Sequence, residues 1–334
     1  TMTNNLNEIA KQAISKIKIN PNDIVIDIGC NDGTLLQNYK ELPIRSVGFD
    51  PAKNMVQFSK QTGAAIITEF FSAEEFIKNY GSEKAKIITS IAMFYDLEDP
   101  NKFVDDISKI LHPDGIWILE LSYLPLMLSQ NAFDTIVHEH LEYYHLDALE
   151  FLLSKFNLKV VDIQLNDING GSFRVVVQHK EKSIDNKSLQ HITELREKEK
   201  NLNLSTNQPF NDFIIKINAE KDKLVTFIKT EVSAGKTVHC YGASTKGNTL
   251  LQFYNLDKKL IQFIADKNPD KWGRKTIGTD ISIISEEESH SMNPDYFLIL
   301  PWHFINEFKE REKNYLKNGG RLLVPLPKFK IIQA

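Results

Sequence analysis

The run Asp23-Ile-Val-Ile-Asp-Ile-Gly-Cys, residues 23 to 30, constrains the fold more than any other stretch of the chain. A short, β-branched, apolar run of this kind is the pattern of a strand buried on both faces, as in parallel sheets covered by helices. The first half of the chain then alternates in the same way. Helix-like TLLQNYKEL precedes strand SVGFD, helix AKNMVQFSKQ precedes strand AAIITEF, and helix AEEFIKNY precedes strand KIITSIAMFY. NKFVDDISKILH is a further helix, ended by the turn PDG, and GIWILELS is the fifth strand. Strands alternating with helices of this length predict a doubly wound α/β sheet of the Rossmann-like kind. Beyond it, LDALEFLLSKF reads as a helix, and LKVVDIQLND and SFRVVVQH read as two strands. The NGG between those strands is a hairpin-type turn signal and implies an antiparallel edge.

A chain of 334 residues is long for one core, so two domains are expected. Residues 181–235 are rich in lysine and glutamate and carry helical apolar spacing in FNDFIIKINAEKDKLVTFIKTEV, which predicts a helical connector. Strand–helix alternation resumes in KTVHCYG, STKGNTLLQFY, LIQFIAD, PDYFLILPW, HFINEFKEREKNYLKNGG and RLLVPLP. The expected organisation is therefore an α/β domain over 1–180, the connector over 181–235 and a second Rossmann-like domain over 236–334. A net charge of -4 with interspersed signs gives no basic stripe for nucleic acid. No apolar run approaches the roughly 20 residues of a membrane span, and TMTNNLNEIAKQ has no signal-peptide core, so a cytoplasmic location is expected. Cys30 and Cys240 are too few for a disulfide framework or a cysteine-based zinc site.

At the end of the first strand lie Asp27, Gly29, Cys30, Asn31, Asp32 and Gly33. A strand, a glycine turn and a helix form a cofactor cradle, because glycine admits close backbone approach and the helix start offers N–H groups. Asn31 stands where a dinucleotide fold has its second glycine. Asp50, ending the second strand before Pro51, suits ribose hydroxyls. An acid at the first turn suits a cationic amino-acid group and would repel a pyrophosphate. S-adenosylmethionine is expected in preference to NAD. Phe71, after the third strand, and Phe94 and Tyr95, after the fourth, complete the expected cofactor edge.

FDTIVHEHLEYYHL, residues 133–146, holds three of the chain's nine histidines, His138, His140 and His145. On these residues alone it reads as a metal site, an acid/base apparatus or a solvated loop. HEH is not HExxH and no third ligand of known spacing follows, although an HxH pair on a strand or loop can chelate zinc. His145, opening a helix, reads as structural. In the second domain, Gly242, Ser244, Lys246, Gly247 and Asn248 form another turn before a helix. The order is not that of a P-loop, yet backbone N–H groups, a hydroxyl and a cation suit a diphosphate. Alternatively Lys246 pairs with an acid. Trp302 stacks on a base or walls a cleft, and Arg174 is a phosphate partner or a surface charge.

DIGCNDGTLL, FDTIVHEHLEYY, NDINGGSFRV, YGASTKGNTLLQF and LPWHF followed by GGRLLVPLP occur in this order. In this the chain resembles the sugar C-methyltransferases over nearly its whole length. The resemblance implies S-adenosylmethionine as cofactor and a nucleotide-linked keto-deoxy sugar as substrate, and no metal is expected. It implies His140 of the HEH motif, His138-Glu139-His140, as the base. Removing a proton α to a ketone gives an enolate that attacks the methyl group, and histidine has the right basicity for that step. Glu139 is expected to orient the imidazole, with Tyr143 or Tyr144 donating to the enolate oxygen. Many members of that family begin with a zinc-binding domain on CxxC pairs; none is found here, so a partner chain supplying it is one expectation. SIAMFYDLEDP also lacks the histidine often present after the fourth strand, so Phe94, Tyr95 or Asp96 takes its place. The alternatives are O- or N-methylation of a sugar or small metabolite, and a non-catalytic or partner-dependent sugar-nucleotide binder.

Overall fold

The computed structural model describes residues 2–334, apart from the side chain of Lys60. The described chain forms two compact units, one of residues up to Leu124 with Leu141–Leu202, the other of Pro125–His140 with Asn203–Ala334. These units depart from the expected boundaries in two ways. The segment Pro125–His140, the first half of the histidine stretch included, belongs to the second unit. The first part of the expected connector belongs to the first unit, where helix Asn186–Asn201 packs on the strand Leu158–Asn166.

In chain order the first unit holds α1 (Met2–Lys16), β1 (Ile24–Ile28), β2 (Arg45–Phe49), α2 (Val56–Ser59), β3 (Ala65–Ile67), α3 (Ala73–Tyr80) and β4 (Ala85–Ile91). It continues with α4 (Pro100–Ile110) and β5 (Leu111–Ser122), and α5 (Leu124–Ser129) then carries the chain into the second unit. On its return come α6 (Leu146–Ser154), β6 (Leu158–Asn166), β7 (Ser172–His179) and α7 (Asn186–Asn201). Among the described residues its sheet has the order β3-β2-β1-β4-β5-β7-β6. The first five strands are parallel, and β7 runs antiparallel to both β5 and β6. Every residue of β1 is buried, Asp27 among them, as the apolar run requires. The hairpin turn is made by Asn169, Gly170 and Gly171, all at positive φ.

Two expected helices are cut short by their own polar side chains. In TLLQNYKEL the Asn38 amide donates to the carbonyls of Thr34 and Leu35, and only a 3-10 turn forms over Leu36–Tyr39. In AKNMVQFSKQ the Ser59 hydroxyl donates to the Val56 carbonyl, just beyond it the Thr62 hydroxyl donates to the Ser59 carbonyl, and α2 keeps one turn. Such local bonds compete with the helical ladder. α4 starts as its sequence dictates, with Asp99 accepting from the Lys102 N–H at 3.0 Å and Pro100 in the first turn.

The second unit holds α8 (Gln208–Ser233), β8 (Val238–Tyr241), α9 (Thr245–Tyr254), β9 (Phe263–Asp266), β10 (Ser282–Ser285), α10 (Glu286–Ser291) and β11 (Tyr296–Ile299). It ends with α11 (Ile305–Arg311), α12 (Lys313–Lys317), β12 (Arg321–Val324) and β13 (Lys330–Ile332). Its sheet order is β10-β9-β8-β11-β12-β13, parallel except for β13. Tyr241, Phe297, Ile299 and Leu322 form its core against Phe308 and Leu316. Among the described residues no helix is long and apolar enough to cross a membrane.

Candidate active site

In the first unit two cavities adjoin at the carboxyl end of β1, sharing Gly29 and Met93 as lining residues. One, of about 350 Å³, is walled by apolar groups including Phe49, Pro51, Phe71, Leu97 and Phe103. The other, of about 420 Å³, is lined by Asp27, Cys30, Asn31, Asp32 and Thr34, together with Met2, Thr3 and Leu6 of α1. An elongated ligand with an aromatic end and a charged end fits that division. Asp27 receives the Thr89 hydroxyl at 2.6 Å, and burial raises its pKa from 3.8 to about 7, against the pull of that hydrogen bond. A buried acid of this kind is suited to a cationic group. Asp50 accepts the Asn31 N–H at 2.8 Å and the Ala52 N–H at 2.9 Å, so its carboxylate fixes the turn at the cavity rim. Gly33 lines neither cavity; its φ is +80°, and a Cβ there would meet Thr62 at 2.7 Å. Cys30 is buried with its thiol pushed up to about 12, first by burial and then by Asp27, so it is no nucleophile.

The histidine stretch separates into different roles. His138 and Glu139 are exposed and lie 3.9 Å apart, a solvated pair. His140 is half-buried, and its Nδ1 lies 2.8 Å from the Thr135 carbonyl. A carbonyl only accepts, so Nδ1 carries the proton and Nε2 the lone pair. Burial holds the His140 pKa below the ordinary imidazole value, against the raising effect of the Thr135 hydrogen bond, and the Lys246 cation lowers it further. Its orienting group is thus Thr135 and not Glu139, which exposure keeps too well solvated for that task. His145 bonds Glu199 at 3.1 Å at the start of α6, the structural role expected. Among the described residues no cluster of three metal-ligating side chains exists.

In the second unit, β8 leads into Gly242 at φ +82°, where a Cβ would meet Pro301 at 2.9 Å. Ser244 spends its hydroxyl accepting the Gly247 N–H at 3.0 Å as the cap of α9. Asp266, ending β9, accepts the Ala243 and Asn268 N–H groups, each at 2.8 Å. This repeats what Asp50 does at the end of β2. The Lys246 ammonium is largely desolvated and its pKa is lowered, with Asp134 opposing the shift. Trp302 is buried and donates from Nε1 to Asp134 Oδ2 at 2.9 Å. It therefore walls the unit and is not an open stacking surface.

A methyltransferase-domain model matches residues 2–163, and a C-methyltransferase C-terminal-domain model matches residues 167–327. The C-methyltransferase NovU of Streptomyces niveus is 31% identical over 332 residues, spanning 98% of this chain and 78% of that protein. The chain belongs to the C-methyltransferase family. A tRNA U34 carboxymethyltransferase of Campylobacter jejuni is 32% identical over 105 residues, 30% of this chain and 35% of that protein. The magnesium protoporphyrin IX methyltransferase ChlM of Synechocystis PCC 6803, solved with bound S-adenosylmethionine, is 11% identical over 53% of this chain and 78% of its own, with a TM-score of 0.40.

For this S-adenosylmethionine-dependent C-methyltransferase, the charged and apolar cavities fit the amino-acid and adenine ends of the cofactor. Several expected site residues are engaged elsewhere in the fold. Arg174 is buried, not at the surface, and its guanidinium is engaged with Glu120 at 2.8 Å, Asn5 at 2.7 Å and Gln12 at 3.1 Å, so it is no phosphate ligand. Phe94 is fully buried in the core against Trp117, Phe103 and Tyr144 and lines neither cavity. Tyr144 belongs to the same aromatic cluster and is buried. Tyr95 is also buried, and its carbonyl accepts from Leu141 and Glu142 N–H. Tyr143 is half-buried. The residues missed are Met2, Thr3 and Leu6 of α1, Thr89 beneath Asp27, and Met93, which follows Ala92 at φ +55°. A non-glycine residue held at positive φ beside a cavity has no signature in a single sequence.

Proposed function

We propose that this C-methyltransferase acts on a nucleotide-linked keto-deoxy sugar, with His140 as the base that removes the proton α to the ketone. The observation that carries the reading is the Nδ1 hydrogen bond of His140 to Thr135, which presents an unprotonated Nε2 from a histidine already held neutral. A carbon acid needs such a base, whereas its removal from a readily ionised acceptor matters less. S-adenosylmethionine supplies the electrophilic methyl group when bound. Asp27 is assigned to its ammonium group and Asp50 to the cofactor turn. The repeat of the β2 acid-and-turn arrangement at Asp266 and Gly242 supports a nucleoside site in the second unit, with Lys246 and the first turn of α9 toward the diphosphate.

The test is proton exchange without methyl transfer. In deuterium oxide with S-adenosylhomocysteine in place of the methyl donor, the wild-type chain is expected to exchange the α-proton of an accepted keto-sugar nucleotide. His140→Ala should lose that exchange and turnover while holding S-adenosylhomocysteine within a fewfold. The acid limb of kcat/KM should fall below the ordinary histidine value of about 6.5, because burial and Lys246 lower this imidazole. Turnover without α-proton exchange, or an acid limb above that value, would refute the enolate route and favour methylation of a heteroatom.

A further inference from the structure

Three polar residues of α1 lie on one edge of the helix at spacings of seven and four, Asn5, Gln12 and Lys16. Each is bonded to the sheet. Lys16 pairs with Asp162 of β6, and Gln12 accepts from Arg174 of β7 at 3.1 Å. Asn5 does more than its neighbours. Its Nδ2 donates to Glu120 Oε1 at 2.6 Å, and its Oδ1 accepts from Arg174 Nη2 at 2.7 Å. Glu120 and Arg174 are themselves a buried ion pair at 2.8 Å, bridging β5 and β7. One carboxamide thus satisfies both members of the pair, at the turn of α1 whose next face carries Met2, Thr3 and Leu6 into the cavity floored by Asp27.

We propose that Asn5 is a positioning residue of the cofactor site, holding α1 as the wall that closes over the charged end of S-adenosylmethionine. The argument is one of direction and cost. An amide is matched to this place because it offers a donor to the carboxylate and an acceptor to the guanidinium at once. Any replacement leaves two buried charges each short of a partner. The remaining polar ties of α1 lie two and three turns further along, so the polar loss is felt at the end that lines the cavity. Sequence alone does not mark this, since an asparagine in an amphipathic helix reads as surface.

The experiment compares Asn5→Leu with Asn166→Ala in the full chain. Asn166 donates to Glu120 Oε2 at 2.8 Å, so its removal perturbs the same ion pair without touching α1. Calorimetric titration with S-adenosylhomocysteine should show at least a tenfold weaker Kd for Asn5→Leu and less than a threefold change for Asn166→Ala. Equal weakening in the two would overturn the proposal, because it would make the ion pair's general stability the cause. A second readout needs no variant. In the wild-type chain, saturating S-adenosylhomocysteine should slow amide hydrogen exchange in the first two turns of α1 and leave α6 unchanged. Exchange in α1 indifferent to the ligand would overturn the proposal even if Asn5→Leu does not fold.

Discussion

The ionised form of Asp27 is the costly one. Its carboxyl is 4% exposed, and burial, only partly offset by the Thr89 hydroxyl and reinforced by Asp50, lifts its pKa from 3.8 to about 7. Holding it charged therefore costs about 4 kcal/mol relative to water, at roughly 1.4 kcal/mol per pKa unit. The sign follows directly. An acid with a raised folded pKa retains a proton that the unfolded chain has lost, so unliganded stability falls as pH rises from about 4 to about 7 and is level above. Binding of a ligand ammonium runs the other way, since the carboxylate is its partner. With a pKa of about 7, the ionised fraction is roughly one-eleventh at pH 6 and ten-elevenths at pH 8, and affinity should rise about tenfold between them. Calorimetric titration with S-adenosylhomocysteine at constant ionic strength reads this directly. Asp27→Asn should bind more weakly at pH 8 and lose the slope. A flat wild-type profile, or a slope that survives in Asp27→Asn, would refute the assignment of Asp27 to the cofactor's ammonium.

Two further outcomes test the packing around the site. Arg174→Met leaves Glu120 buried at 2% exposure without its cation and should cost about 3–5 kcal/mol by chemical denaturation; a loss under 1 kcal/mol would refute the stabilising role given to the pair. Trp302→Phe removes the indole N–H that Asp134 accepts at 2.9 Å and should lower the stability of the second unit by about 1–3 kcal/mol. An unchanged denaturation midpoint would show that Asp134 is held by something other than the indole.

The alternation of strands and helices was legible because it rests on period and on β-branched runs, which β1, β4, β5 and β7 carry plainly. The antiparallel edge was legible in Asn169-Gly170-Gly171. What misled was local polar chemistry: Asn38, Ser59 and Thr62 look tolerable in a helix until their hydrogen bonds to nearby carbonyls are seen. The short strands β10 and β13 lacked a long enough pattern to stand out. The placement of Asp27, Asp50 and the glycine turn at the strand ends was readable from position. Arg174 was misread because a buried arginine declares itself only through partners more than fifty residues away, at Glu120, Asn5 and Gln12. Glu139 was misread because adjacency in sequence is not orientation in space. The carbonyl of Thr135 that holds His140 has no side-chain identity to read.

Asp50 and Asp266 each spend both carboxylate oxygens on backbone N–H groups, one at the strand-end turn of the neighbouring strand and one two residues onward. Asparagine in either place would keep one acceptor and present an NH₂ to the other amide, donor against donor. A nominally mild exchange there would unmake the shape of the loop as well as any ligand contact. Affinity lost in such variants therefore reports architecture first, and reading it as recognition would credit these acids with a conversation they hold mainly with their own main chain.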